Sequence, residues 1–333
     1  MSSQSEQNLA SPLVSIILPV FNGETQVASV VQELTKQAFS DYEIVLVDDG
    51  STDSTRSVAE NIARQVDRLR VVSISHGGAS HARNVGIQGA RGSVIFFAEA
   101  DCVYDSDYLQ KAVACLLADE RVSAVCLTGA PLMLRSTLAT KCIDIENKIQ
   151  HKLLEQGRIK PFYAWVYRKS ALETVGGFDE TLFQGEDKDL FRRVEASNFL
   201  VAWIPGIHWR HERDQTLAEL AAKWFKRGQS RVLFVMKHRL LGDMAKALAP
   251  LWLTVLGIAL LFVYPVAGAL LLSAVLAAFL YRTVRTASIA WDRVEKKRYL
   301  AYYLPFLLVR NFSSGLGYTV GVLRMGLGMG VEV

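Results

Sequence analysis

Four continuous apolar runs of strand length mark the first third of the chain: LVSIILPV at 13–20, YEIVLVD at 42–48, LRVVSI at 69–74 and SVIFF at 93–97. Between the first two, Val27, Val30, Val31 and Leu34 recur at helical spacing, and helices are predicted over 54–65 and near 80–90. Apolar strands that do not alternate, with helices between them, predict a mostly parallel sheet covered on both faces. In such a sheet ligands bind beyond the carboxyl ends of the strands, so polar clusters directly after these runs are the candidates for function.

A different pattern fills the last third. Residues 247–281 carry no charge. As one helix this run would extend about 52 Å, well beyond the ~30 Å hydrocarbon core of a bilayer. The Tyr264-Pro265 step near its middle predicts a break, hence a hairpin of two membrane helices, about 248–263 and 266–281. One tilted helix or a re-entrant hairpin are the alternatives. A third apolar segment, 299–323, contains Pro305, Arg310 and Gly317-x-x-x-Gly321. It would either span or lie in the interface with Arg310 snorkelling, and its two glycines are expected to pack against the hairpin.

Charge sharpens this division. The 333 residues hold 37 Lys+Arg and 33 Asp+Glu, for a net charge of +4. Residues 1–222 are net −7, 223–246 net +6, 282–300 net +4 and 301–333 net +1. Basic clusters on both sides of an uncharged run place both ends on the cytoplasmic side of the membrane. The segment 1–11 has neither a basic nor an apolar stretch of signal-peptide type and is expected to be disordered, leaving the first half in the cytosol. A basic helix over 215–237 (Lys223, Lys226, Arg227, Arg231, Lys237) would meet anionic headgroups or a lipid-linked phosphate, or be a solvated face. With 50% apolar and 21% charged residues the chain is neither disordered nor collagen-like. Its four Cys form no C-x-x-C pair, which argues against zinc-ribbon or thioredoxin chemistry.

Four polar clusters follow apolar runs. Asp48-Asp49-Gly50-Ser51-Thr52-Asp53 offers two adjacent carboxylates able to accept hydrogen bonds from a nucleobase or ribose, with Asp53 or Ser54 as a cap for the next helix. Gly77-Gly78 precedes Arg83, a side chain suited to a phosphate or base edge. Glu99-Ala100-Asp101 places two carboxylates one residue apart at a strand end, where Mg²⁺ or Mn²⁺ could be held with substrate phosphate oxygens. Gly185-Glu186-Asp187-Lys188-Asp189 could supply a general base or simply be acids at a helix start.

The ordered set VSIILPVFN, VDDGSTDST, ARNVGIQGARGSVIFFAEAD, VGGFDE and GEDKDLFRR resembles the family 2 glycosyltransferases. That resemblance implies a GT-A fold over 12–237, a mostly parallel sheet flanked by helices; the apolar runs add C-terminal transmembrane helices within 238–333. It implies an enzyme that moves one sugar from a nucleotide-diphosphate sugar to a lipid-linked or cell-envelope glycan acceptor, with inversion and with Mg²⁺ or Mn²⁺. Pro19, Phe21 and Glu24 would line the nucleotide pocket with Ala100, Asp48 and Asp49 would hold base and ribose, and Arg83 would reach the base or diphosphate. Asp101 and Glu99 would bind the metal with His211, His208 being the competitor. Asp187 would be the general base, with Glu186 toward the acceptor. No nucleic-acid partner is expected, and the location implied is the inner (plasma) membrane, multi-pass, with the catalytic part cytoplasmic.

Two departures stand out. Glu99 replaces the family's first Asp, and Cys102 stands where a further acid is common. No Gln-x-x-Arg-Trp follows 215–237, which argues for addition of one sugar rather than processive synthesis. A catalytically silent nucleotide-sugar-binding membrane protein is the first alternative. A nucleotidyltransferase is disfavoured, because FNGET after the first strand lacks the basic residue a phosphate loop would need.

Overall fold

The structure is a computed structural model that describes residues 13–100, 102–128, 137–159, 164–205, 209–211, 216–291 and 302–329. The chain divides into two compact units, one of Met1–Leu127, Phe162–Phe178 and Leu190–Ile207, the other of Thr128–Pro161, Asp179–Asp189 and His208–Val333.

The first unit begins with β1 (Val14–Val20), α1 (Val27–Leu34), β2 (Tyr42–Asp48), α2 (Thr55–Ala63), β3 (Leu69–Ser73), α3 (Ala79–Gly89) and β4 (Val94–Phe97). It continues through β5 (Cys102–Tyr104), α4 (Tyr108–Ala118), β6 (Val122–Thr128), and later β7 (Val166–Arg168), α6 (Lys169–Val175), α7 (Glu186–Ala196) and β8 (Leu200–Pro205). Seven strands form one sheet in the order β3-β2-β1-β4-β7-β6-β8. The β3-β2-β1-β4 half is parallel, as the apolar runs predict, while β7 pairs antiparallel with both β4 and β6. Consecutive residues Ile16, Ile17 and Leu18 are all fully buried, so β1 is covered on both faces. Val27, Val30, Val31 and Leu34 form the buried stripe of α1. Beyond β4 the core is aromatic: Phe97, Tyr167, Phe178 and Phe191 cluster with Ile17 and Leu190. Register aligns Val20 with Asp48 and Ile17 with Phe97, so the carboxyl ends of β1, β2 and β4 lie along one sheet edge.

The second unit is helical. It contains α5 (Leu138–Glu155), the start of α7, the short strand β9 (Trp209–His211), α8 (Leu217–Lys237), α9 (Leu241–Val263), α10 (Pro265–Ala290) and α11 (Tyr303–Gly326). Thr216 and Glu219 cap α8 reciprocally, each side chain accepting from the other's backbone N–H. The break at Tyr264 is as predicted, with Pro265 opening α10 at a position where its missing N–H has no partner to lose. Both helices run further than predicted, 23 and 26 residues, because the basic flanks are helical too. Each is long and apolar enough to cross a membrane. Phe262, Val266 and Leu270 stand largely exposed.

The third apolar segment departs from expectation in its partner. A Cβ on Gly317 would overlap the carbonyl oxygen of Phe225, and one on Gly321 would come within 2.5 Å of that of Gln229. The Gly317/Gly321 face is therefore seated on α8, not on the hairpin. The reason is that α8 contributes a small residue of its own, Gly228, whose Cα faces the Ser314 carbonyl, so two backbones can approach. Gly315 is the glycine turned to the hairpin, against Ala247 and Leu251. Arg310 ends on Glu146 of α5, which also accepts from the Tyr303 hydroxyl at 2.7 Å, so its charge is met by a carboxylate rather than by snorkelling. Pro305 falls in the first turn of α11, where it interrupts nothing.

Candidate functional site

At the ends of β1 and β2 two loops are stitched together by side chains. Gly23 N–H donates to Thr55 Oγ1 (2.8 Å), Ser54 N–H to Glu24 Oε2 (2.9 Å), and Thr52 N–H to Asn22 Oδ1 (2.8 Å). Glu24, expected to line a nucleotide pocket, thus has one carboxylate oxygen on the α2 N-terminus. Asp53 accepts from the Thr55 hydroxyl and N–H, which keep its half-buried carboxyl below the usual range. Pro19 is half-buried within β1.

The acidic pair that ends β2 is buried, Asp48 at 2% and Asp49 at 3% exposure. Asp49 accepts from the N–H groups of Gly77 (2.8 Å) and Gly78 (2.9 Å), and His76 Nδ1 lies 2.9 Å from its Oδ2. Asp49 therefore shapes the Gly-Gly loop that leads into α3. Asp48 accepts only from Ser51 N–H, at 3.2 Å, among the described residues. His76 is turned outward and stacks on Phe21, ring centroids 4.2 Å apart and planes 25° apart. The result is an exposed aromatic pair beside a buried acidic pair. Sequence reasoning missed His76; its place three residues after β3 was the available signal.

Arg83, on α3, is buried with its guanidinium carbon 5.2 Å from the centre of the Phe178 ring. Phe178 is held there from three directions. Asn84 exchanges two hydrogen bonds with its backbone, 2.9 and 2.8 Å. Arg193 donates to the carbonyls of Val175 (2.6 Å) and Gly177 (2.7 Å). Gly177 turns the chain at φ 69°, and a Cβ there would strike Asn84 Oδ1. Asn84 and Arg193, part of ARNVG and DLFRR, are positioning residues that the motifs contained but did not reveal.

After β4, Glu99 donates its N–H to the Tyr104 hydroxyl (2.9 Å), and the Cys102 thiol donates to Glu99 Oε2 (3.3 Å). Burial, with Cys102 and Glu99 adding to it, pushes the Tyr104 hydroxyl well up, so it stays protonated. Ala100 is half-buried next to Glu99. Asp101 and His208 lie outside the described residues; His211 is placed as a backbone position in β9, its side chain outside the description. Among the described residues no group of three His, Cys, Asp or Glu side chains forms a metal cluster.

In the second unit, Glu186 and Asp187 open α7, both half-buried, and Asp187 Oδ1 accepts from Lys188 N–H at 2.8 Å. Asp189 is wholly buried, with Lys237 Nζ at 2.7 Å and His238 Nε2 at 2.9 Å. Lys237 also reaches Asp179 at 2.6 Å. Burial works against the Asp179 charge, yet the hydrogen bonds from Lys237 and Thr181 bring its carboxyl down to about 2. Lys237, expected to face headgroups or phosphate, is thus engaged inside the protein. Asp189 is a buried ion-pair partner.

Residues 15–176 match the family described as glycosyl transferase family 2. Over those residues the chain is similar to the family 2 glycosyltransferases. The family 2 match opens in β1 and closes at Gly176, the turn that precedes Phe178. Among curated relatives, the uncharacterized glycosyltransferase EpsJ of Bacillus subtilis is 30% identical over 231 residues, 64% of each chain. The glycosyltransferase AglE of Haloferax volcanii is 25% identical over 251 residues, 73% of this chain and 81% of that one. The chain thus spans less than two thirds of EpsJ. The GT-A-type fold is shared with the mannosyltransferase PcManGT from Pyrobaculum calidifontis, solved in complex with GDP-Man and Mn²⁺, at TM-score 0.59 and 19% identity over 92% of this chain and 88% of that one. It is shared also with residues 1–349 of S. aureus TarS, at TM-score 0.50 and 16% identity over 95% and 92%.

Proposed function

We propose that this chain is an inverting glycosyltransferase that moves one sugar from a nucleotide-diphosphate sugar to a lipid-linked or cell-envelope glycan acceptor. It would work at the cytoplasmic face of the inner membrane, anchored by α9 and α10. The observation that carries the reading is the convergence, on one edge of a family 2 sheet, of exposed Phe21 and His76, buried Asp48 and Asp49, Arg83 and Glu99.

In this reading the nucleobase stacks on Phe21, Asp48 accepts from base or ribose, and Asp49 keeps the Gly77-Gly78 loop in shape for the diphosphate, which Arg83 meets as it leaves. The donor set suits Mg²⁺ or Mn²⁺: Glu99 and Asp101 are hard oxygen ligands, and Glu99 Oε1 takes no hydrogen bond from the described residues. When bound, such an ion supplies positive charge at the diphosphate. His211 would complete its ligands. Asp187 takes the proton of the acceptor hydroxyl as that oxygen attacks the anomeric carbon, with Glu186 beside the acceptor. One displacement inverts the configuration. The Cys102 thiol on Glu99 favours a weak ion site, which is the one feature that supports the silent-binder alternative.

The test is nucleoside diphosphate release by the full chain in detergent from a panel of UDP-, GDP- and dTDP-sugars. Turnover that stops on chelation and returns with Mn²⁺ is expected. Thermal stabilisation by a nucleotide sugar without any turnover would select the silent binding protein instead.

A further inference from the structure

The stretch 179–189 carries the candidate general base, and both of its ends close on one side chain of α8. Lys237 Nζ lies 2.6 Å from Asp179 Oδ2 and 2.7 Å from Asp189 Oδ1. Glu186 and Asp187 stand between those two carboxylates in sequence. His238 brings its Nε2 to the same Asp189 oxygen at 2.9 Å. Burial works against the charge of Lys237, but its bonds to Asp179 and Asp189 outweigh that and hold the ammonium protonated. One cation therefore ties the two ends of the base-bearing stretch together.

Apolar packing seats the same stretch on the last turns of α8. Leu182 is buried with Val232, Phe234 and Val235. The left-handed turn at Gly185, φ 84°, lies against the Phe234 ring, 3.0 Å from where a Cβ would stand, and its carbonyl accepts from Asp189 N–H at 2.8 Å. The chain leaves α8 through Arg239, at φ 54°, and α9 begins at Leu241. Met244, Ala247 and Leu248 of α9 pack on the cluster that holds Leu182. The base-bearing stretch thus stands on the corner where α8 passes into the first apolar span. Asp189 is wholly buried, so any shift that parts it from Lys237 leaves a charge without its partner where water cannot replace it. An apolar contact alone would tolerate sliding; this pair does not.

We infer that Lys237 is a positioning residue of the transfer reaction: it clamps Asp179 to Asp189, fixes Glu186 and Asp187 on the α8–α9 corner, and so ties the placement of the base to the apolar hairpin. The inference rests on the reading of Asp187 as general base proposed above and deepens it.

The experiment makes two measurements on the full chain in detergent: hydrogen–deuterium exchange without any ligand, and steady-state turnover of whichever UDP-, GDP- or dTDP-sugar the wild type consumes. Lys237→Met keeps the length of the side chain and removes its charge. It is expected to speed exchange in 180–190 by about tenfold or more, with the peptides of β1 to β4 unchanged. It is expected also to lower kcat by about tenfold or more while donor affinity, measured directly, stays the same. Lys237→Arg should recover most of both. Asp179→Asn keeps the buried Lys237–Asp189 pair, should show the same two effects in smaller measure, and decides the matter if Lys237→Met does not fold. Lys246→Met, which removes an exposed cation of α9, should show neither effect. Lower stability with wild-type exchange in 180–190 and wild-type kcat would overturn the assignment and leave Lys237 a structural ion pair. So would a fall in donor affinity as large as the fall in kcat, the mark of general damage to the site. Faster exchange of 180–190 in a chain that consumes no nucleotide sugar would keep the clamp and remove the proposed function. Turnover that needs Asp187 yet ignores both Lys237→Met and Asp179→Asn would do the reverse.

Discussion

At the scale of single residues, α7 holds two carboxylates two positions apart with opposite situations. Asp187 is half-exposed and bonded to one backbone N–H, while Asp189 is closed in between Lys237 and His238. Helical periodicity turns Asp189 about 200° away from Asp187, but that direction leads into α8 rather than to water. Asp187→Asn is expected to lower kcat by about 10²–10⁴ while leaving nucleotide-sugar affinity unchanged, as read by steady-state kinetics beside a direct binding measurement. Near-normal turnover by the folded variant would remove Asp187 from its role. The appropriate comparison is Glu195→Gln, on the exposed side of the same helix, which should change neither. Asp189→Asn should instead cost roughly 3 kcal/mol of stability in thermal unfolding, because it leaves Lys237 and His238 with one buried anion fewer. At the strand end, Asp101→Ala should abolish metal-dependent turnover whereas Glu99→Asp should preserve or raise it. Loss on Glu99→Asp with retention on Asp101→Ala would mean the carboxylates have been assigned the wrong way round.

At the scale of elements, the junction of α8 with α11 depends on glycine backbones in contact. Gly317→Ala adds a methyl where the Phe225 carbonyl already sits, so the helices must separate. The unfolding temperature in detergent should fall, with Gly242→Ala, which has open space around its Cα, as the neutral reference. A second element-level contact is sensitive to acid. Asp179, which Lys237 ties to the end of α8, titrates near 2 in the folded chain against a reference of 3.8. A depressed carboxyl contributes stability that is complete above the reference value and lost as pH falls through the folded value, here between about pH 4 and 2. The contribution is at most about 2 kcal/mol. Asp179→Asn should therefore flatten the acid limb of the stability profile, and an unchanged limb would show that the pair contributes nothing.

At the scale of the whole molecule, an acidic α/β unit and a helical unit with two apolar spans occupy one chain. The exposed faces of α9 and α10 are apolar where a soluble protein would be charged, which supports the membrane anchor proposed above. A reporter enzyme inserted after Asp292 is expected to read as cytoplasmic, since basic residues flank both ends of the hairpin. A periplasmic or lumenal signal would overturn that topology.

Most of what the linear order determines is local. Strands β1 to β4, the helices between them, the break at Pro265 and the acidic start of α7 follow from short-range sterics, capping and apolar period, and all were legible from neighbouring residues. Three of the four candidate clusters were legible because they follow β2, β3 and β4; the Gly185–Asp189 cluster comes after α6 and was legible as acids at a helix start. What only the tertiary structure decided depends on residues far apart in the chain. It set β7 antiparallel to both β4 and β6, turned Gly317 and Gly321 onto α8, and matched Arg310 to Glu146 across 164 positions. It also closed Lys237 onto Asp179 and Asp189, and stacked His76 on Phe21. A charge or a glycine has several possible partners of equal local merit; which one it takes is decided by the shape of the packed surfaces, and no window of sequence contains both surfaces at once.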